Sequence, residues 1–430
     1  MKSVRSFTTL EDYCEQIVDC PHSTPVWQDS GYLVIRNQNI RNGVLDLSSP
    51  SFTDEEHFAK RNRRAKPRSG DLIFTREAPM GEICMVPEGL ECCLGQRQVL
   101  LRAKESNDSA YLLYAFQTPF VKKQIDAHRS TGSTVSNFCI PDLKKLLIPR
   151  IPNESTAAAV LSALDAKIEL NQRLNAELEG LAKLLYDYWF VQYDFPLSPA
   201  QAAALRKPHL TGHPYRSSGG PMVFHPQLKR EIPKGWEVGS LDQLGSIIGG
   251  STPSTKESAY FTTEGIPWIT PKDLSRNTGN KFITRGETDL TPEGVKAASL
   301  TLLPAGSVLM SSRAPIGYTA INRVPVATNQ GFKSFVPDKG YPVEFIHLTL
   351  NHLMGVIEQN ASGSTFKEVS ATTLKTIKTE LPAPETLTTY QSTVAPIFQQ
   401  QDTLEQQSHH LAQLRDWLLP MLMNGQVTVR

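Results

Sequence analysis

From Ala157 to about Gln192, apolar or polar-seam residues recur at alternating spacings of three and four: Leu161, Leu164, Ile168, Asn171, Asn175, Leu178, Ala182, Leu185 and Trp189. That spacing keeps one face of an α-helix against a partner helix, as the a and d positions of a coiled coil do. Pro152-Asn153-Glu154-Ser155-Thr156 supplies helix-start residues, and Gly180 is the one breaker inside the run. A second seam, Ile397, Leu404, Leu411, Leu414, Leu418 and Met421, predicts a distal helix opening near Pro396, a residue suited to a first turn. The two rods are expected to pair antiparallel, with Leu174, Leu181 and Tyr188 widening the first stripe. Asn171 and Asn175 on one seam, with Gln400 and Gln407 on the other, give up apolar packing and fix register. Pro420 is expected to interrupt the distal rod, whereas the central one continues through Tyr188, Trp189 and Phe190.

Elsewhere the pattern shortens to β-rich runs bounded by Gly, Pro, Asn and Asp: Tyr32 to Ile40, Gly70 to Pro79 and Gly81 to Pro87, then Ile266 to Leu274, Gly306 to Pro315 and Gly317 to Ala327. Helical stretches, Ala110 to His128 and Glu344 to Asn360, follow them in both halves. The order recurs because the chain repeats itself. GDLIFTREAPMG at Gly70 to Gly81 returns as GSVLMSSRAPIG at Gly306 to Gly317. Gly95-Gln96 answers to Asn329-Gln330, Gly132-Ser133-Thr134 to Gly363-Ser364-Thr365, and Leu143-Lys144 to Leu374-Lys375. Each half then reaches a Pro-rich hinge and a long helix. The expected organisation is a first module over 1–150, a central helix over 151–195, a linker over 196–231, a second module over 232–380 and a distal helix over 381–430. The fold class is α+β: two similar mixed α/β modules separated by a pair of long coiled-coil helices, with approximate twofold symmetry.

Composition, 40% hydrophobic and 20% charged, is that of an ordinary globular chain with enough apolar residues for a core in each half. Acidic residues near the amino terminus and the lack of a long apolar run argue against a secretory signal or a membrane span, so a cytoplasmic chain is expected. All six cysteines lie in the first half and read as free thiols. Cys14, Cys20 and His22 lack the paired spacing of a structural zinc site.

A net charge of +1 conceals a division of labour. The central helix sets Lys167, Arg173 and Lys183 against Glu154, Asp165, Glu169, Glu177, Glu179, Asp187 and Asp194, so the rods favour protein partners and phosphate contact falls to the modules and linker. Lys60, Arg61, Arg63, Arg64, Lys66 and Arg68 form a basic run before the repeated strand, enough for several phosphate contacts; a solvated charge run is the plainer alternative. The matching stretch of the second module, Thr291 to Leu303, has only Lys296, which fits modules that read different sequences. Arg36, Asn37, Gln38 and Asn39 align with Thr270, Pro271, Lys272 and Asp273, mostly side chains able to hydrogen-bond base edges. Arg76 and Arg313 flank the repeated Ala-Pro turn and can hold guanine or phosphate. Arg97, Asn329, Gln330, Lys333 and Lys367 join the candidates, as do the small hydroxyl loops with Ser133, Thr134, Ser364 and Thr365. Catalytic patterns are missing: there is neither an Asn-Pro-Pro-aromatic or Asp-Pro-Pro-aromatic tetrad for amino methylation nor a G-x-G loop, and His347 and His352 lack the spacing of a zinc helix.

The segment GHPYRSSGGPMVFHPQLKREIPKGW, Gly212 to Trp236, resembles the linker of specificity subunits of type I restriction-modification systems, and LRDWLLPMLMNGQV, Leu414 to Val427, resembles the end of the same family. The resemblance implies that the modules are target-recognition domains, each reading one half of a split, asymmetric double-stranded DNA site, with the rods setting the half-site separation. It implies two modification subunits on the helices, supplying S-adenosylmethionine binding and adenine-N6 methylation, and two motor-nuclease restriction subunits joining that core. The chain itself is then expected to hold no cofactor or metal and to perform no catalysis. A duplicated DNA-binding adaptor of another modification system, or a coiled-coil scaffold without a DNA role, are the competing readings.

Overall fold

A computed structural model describes residues 6–128, 137–313, 315–363 and 367–427. Residues 1–169 with 409–430 form one compact unit and residues 170–408 another. No helix among the described residues is long and apolar enough to cross a membrane.

In the first unit, Ser6–Thr9 pairs antiparallel with Leu147–Arg150, so the two ends of the module meet where the central helix departs. A larger sheet is ordered Cys14–Asp19, Gln98–Ala103, Leu72–Thr75, Ile83–Met85. A smaller one is ordered Cys92–Leu94, Tyr32–Ile35, Phe52–Thr53, Trp27–Gln28, its first pair parallel. The repeated apolar run forms the strand Leu72–Thr75, buried on both faces: Leu72 and Phe74 enter a core with Val99 and Leu101, and Ile73 enters another with Cys84 and Leu100. Burial on both faces explains a continuous rather than alternating apolar pattern.

The second unit repeats these pairings and adds a fifth strand, Phe282–Ile283, to the larger sheet. Glu237–Ser240 pairs with Lys378–Leu381. The larger sheet is ordered Ser246–Gly249, Lys333–Val336, Val308–Ser312, Ile316–Asn322, Phe282–Ile283, and the smaller Phe261–Thr262, Thr288–Leu290, Ile266–Ile269, Ala327–Thr328. Val308 and Met310 enter one core and Leu309 another, as in the first copy. Residues after Val191 fold back onto this unit, where Phe195 stacks between Tyr215 and Trp236.

The central helix runs over Glu154–Tyr186 and ends in a wider π-turn, Asp187–Val191. Every residue of its predicted seam is buried or half-buried. Within the second unit Asn171 faces Gln407 at 3.5 Å, Asn175 faces Glu405 at 3.4 Å and Glu179 faces Gln401 at 3.1 Å, an antiparallel progression. In the first unit Arg415 of the distal helix meets Asp165 of the central one at 2.8 Å.

The distal helix departs from expectation. It runs over Pro384–Met423, twelve residues earlier than Pro396 suggests, and neither Pro396 nor Pro420 stops it. An interior proline costs about 3 kcal/mol through its missing donor and ring clash. Burial of Leu387, Tyr390, Val394, Phe398, Leu404, Leu422 and Met423 offsets that penalty. The packed face is also rotated: Gln401, rather than Gln400, is buried, and Leu414 is 43% exposed, so Leu414 leaves the seam. Ile397, Leu411, Leu418 and Met421 are half-buried at its margin.

Candidate nucleic-acid interface

In each module the central strand of the smaller sheet delivers the aligned tetrad to the surface. Tyr32–Ile35 runs into Arg36 and the turn Asn37–Asn39; Ile266–Ile269 runs into Thr270 and the short helix Pro271–Arg276. The fourth position turns inward in both copies. Asn39 is 3% exposed, accepts the Arg36 N–H at 2.9 Å and donates to Asp46 O at 2.9 Å. Asp273 accepts the Thr270 N–H at 2.8 Å, its hydroxyl at 2.6 Å and the Glu287 N–H at 2.9 Å. Asn39 is therefore a brace of its loop and not a base reader, because its hydrogen-bonding capacity is spent on the backbone.

The outward residues of the first tetrad line a cleft of about 350 Å³ with Pro25, Trp27, Ala78, Gln96 and Arg97. Arg36 lies over the Trp27 ring at 5.0 Å, which holds the guanidinium on a partly exposed aromatic face. Gln38 is exposed, whereas Asn37 is half-buried and gives its amide to Glu77 O at 2.5 Å. Arg97 pairs with Glu77 at 3.0 Å and keeps 52% of its side chain exposed. Gln96 ties the cleft to the preceding loop by donating to His22 O at 2.7 Å and Thr24 Oγ1 at 3.0 Å. Gly95 permits this crossing, since a Cβ there would lie 2.6 Å from Ile35 O.

The basic run splits by burial. Arg61 is 5% exposed and donates to the carbonyls of Leu94 at 2.6 Å, Ser23 at 2.8 Å and Pro21 at 3.1 Å, so it staples the loop beside the cleft rather than reaching DNA. Lys60 and Arg63 are exposed and make no ion pair among the described residues. Arg64 donates to Asp19 O at 3.5 Å, Lys66 pairs with Glu91, and Arg68 approaches Glu15 at 3.9 Å, all with solvent-facing side chains. Arg76 also drops out as a phosphate ligand. It is 9% exposed, holds both oxygens of Asp19 at 2.9 Å and donates to Phe138 O at 2.9 Å.

The second module presents a more neutral surface. Lys272 and Arg276 both hold Glu287, at 2.7 and 2.9 Å, and lower its carboxyl below the usual range, chiefly through the Lys272 hydrogen bond. Arg313 and Lys333 share Glu368 at 3.9 and 3.6 Å. A Cβ on Gly331 would lie 3.1 Å from both Pro271 Cγ and Asn329 Oδ1 and 3.5 Å from Arg313 Nε, so the tetrad, the Asn329-Gln330 loop and Arg313 are neighbours. Asn329 accepts the Gly331 N–H at 2.9 Å, Gln330 is exposed and bonds Thr252, and Lys367 is exposed. Ser133, Thr134, Ser364 and Thr365 lie outside the described residues.

Sequence reasoning missed Trp27 and the loop from Asp19 to Trp27 that joins the cleft to the basic run. Its legible signal was an aromatic side chain set among Pro25, Gln28 and Asp29, where no apolar periodicity calls for burial. Among the described residues no group of three His, Cys, Asp or Glu is arranged to hold a metal.

Comparison with known proteins gives four findings. A family model described as "Type I restriction modification DNA specificity domain" matches residues 16–180 and 233–414. The type I restriction enzyme MjaIX specificity subunit of Methanocaldococcus jannaschii is 42% identical over 157 residues, 36% of each chain. The HindI specificity subunit of Haemophilus influenzae is 28% identical over 353 residues, 74% of this chain and 76% of that one. The fold is shared with the crystal structure of a type I restriction-modification system S subunit from M. genitalium, at a TM-score of 0.58 and 15% identity, over 98% of this chain and 96% of that one.

Proposed function

Because this chain belongs to the type I restriction-modification DNA-specificity family, we propose that it reads a bipartite, asymmetric duplex site and positions modification and restriction subunits there, contributing no catalysis itself. The observation that carries this reading is the duplication: every strand pairing of the first module's two larger sheets recurs in the second, while the side chains around the two tetrads differ in charge and shape. One scaffold with two unlike surfaces suits two unlike half-sites. The exposed residues Arg36, Gln38, Lys60, Arg63, Arg64, Arg97, Lys272, Gln330 and Lys367 are the contacts we assign, cations to phosphates and amides to base edges, whereas Thr270 is half-buried with its hydroxyl on Asp273.

The helices offer surfaces for two modification subunits, which would bring S-adenosylmethionine and the adenine-N6 chemistry. Leu170, Leu174, Leu181 and Leu184 are exposed on the central helix, and Leu414 and Trp417 on the distal one. Apolar surface of this kind on a helix marks a protein contact. Two restriction subunits would join the assembled core, in the cytoplasm where the duplex is.

The test is methyl transfer with the purified chain, the modification subunit, methyl donor and duplex. Transfer should require both proteins, and exchanging residues 232–380 for those of a relative should change the required bases in one half of the site only. Unchanged base requirements after that exchange would refute the reading.

A further inference from the structure

The second module rests on its helical pair through a buried polar joint centred on Lys281. Lys281, at the entry to the strand Phe282–Ile283, has a side chain 3% exposed. Its ammonium lies 2.7 Å from Glu179 of the central helix, 2.8 Å from Gln401 Oε1 of the distal helix and 3.5 Å from the centre of the Phe398 ring. One turn along, Glu405 accepts the backbone N–H of Lys281 at 2.6 Å and of Phe282 at 3.1 Å, and a third bond from Arg323 at 2.8 Å. Asn175 donates to Gly279 O at 3.2 Å from the opposite helix.

The matching hairpin of the first module, Ile40–Arg41 with Val44–Leu45, makes no hydrogen bond or ion pair to a long helix among the described residues. That module is seated on its helices by an apolar core and by Tyr114, Asp165 and Arg415, with bonds of 2.6 and 2.8 Å. In the first module the polar bonds run from side chains to helix carboxylates, Tyr13 to Glu154 and Tyr114 to Asp165, whereas in the second both helices also hold the backbone at the strand entry. Apolar contact tolerates sliding and rotation, whereas short bonds from both helices to one strand accept a narrow range of angles. Burying ions costs about as much as their attraction returns, so such a joint adds little stability over apolar packing. What it supplies is a single attitude.

We infer that the Lys281 joint fixes the attitude of the second reading surface on the helices and thereby sets how sharply the protein discriminates the length of the gap between its two half-sites. Lys281 is a positioning residue here. The inference rests on the bipartite reading given above.

The experiment uses the complex of the full chain with its modification subunit and duplexes that keep both half-sites while the gap is shortened or lengthened by one base pair. The parent should prefer one gap. Lys281→Met, which keeps the volume, should lower the ratio of transfer at the best gap to transfer at its neighbours by about tenfold, the factor carried by one lost hydrogen bond to a charged group. Base requirements within each half-site should stay as they were. Glu179→Gln, on a side chain 44% exposed, should shift the ratio in the same direction without endangering folding. A plain loss of stability lowers transfer at every gap alike. A sharp parental preference retained by both variants would overturn the inference and leave the bipartite reading standing. A parent indifferent to the gap and to either half-site would remove that reading and this inference together.

Discussion

Replacing Arg61 by methionine keeps the aliphatic stem in its slot and removes the charged donors from three carbonyls, those of Leu94, Ser23 and Pro21. Hydrogen bonds to a charged group contribute roughly 1.5–3 kcal/mol each, an upper sum of about 5–9 kcal/mol. Against it stands the cost of holding the guanidinium out of water, visible in its pKa, which burial pushes below the usual arginine value. Water can also reach the loop carbonyls once the side chain is gone. The net loss should be about 3 kcal/mol, a fall of about 1 M in the urea midpoint of the first unit at a slope near 3 kcal/mol/M. Arg63→Met, two residues on and fully outside the core, should change stability by no more than about 0.5 kcal/mol. It should instead flatten the slope of log K against log salt for duplex binding by about 0.9, one phosphate contact. Urea unfolding followed by buried-thiol accessibility, alongside a salt titration of binding, separates the two. An Arg61→Met variant with the parental midpoint and a flattened salt slope would place Arg61 on DNA and refute the assignment.

Native protein treated with a maleimide should lose one thiol of six, Cys139, because the other five are buried and burial pushes Cys14 and Cys92 up to about 12 and Cys93 to about 11; rapid labelling of several thiols would contradict the packing. Trp27→Ala should leave the unfolding midpoint within about 0.5 kcal/mol yet weaken binding to the first half-site by about fivefold, through loss of the face that holds Arg36, as measured by competition between half-site duplexes. Burial, then the charge of Lys281, holds His347 down at about 3, while Glu179 pulls the other way. The folded imidazole stays neutral where the unfolded one takes a proton, so stability of the second unit is complete above about pH 6.5 and should fall by about 1.4 kcal/mol per pH unit below it. His347→Asn should abolish that slope between pH 6.5 and 5 in denaturant titrations. Trp417→Ala should cost affinity for the modification subunit by about tenfold, as a buried aromatic anchor does, without changing the fold, since Trp417 is 58% exposed; unaltered copurification would remove that surface from the interface.

Much of the architecture was legible in the residue order. Apolar periodicity is a property of local geometry, so the central seam from Leu161 to Trp189 could be read directly, and the doubled Gly70–Gly81 run, buried on both faces, announced two copies of one module. The distal helix was less readable because Thr, Ser and two prolines disfavour helix locally, and only the core formed by Tyr390, Val394 and Phe398 outweighs them. Charge was the least readable of all. Arg61 and Arg63 stand two places apart in one basic run, and nothing local tells a staple from a free cation. Which guanidinium meets carbonyls and which meets water depends on chain segments dozens of residues away, such as Leu94 for Arg61 and Phe138 for Arg76, and only folding brings them together. The sequence therefore determined the repeat, the central helix and the family. Tertiary structure decided which polar groups are already satisfied and which remain free for a ligand, because a hydrogen bond made inside the protein cannot also be offered to DNA.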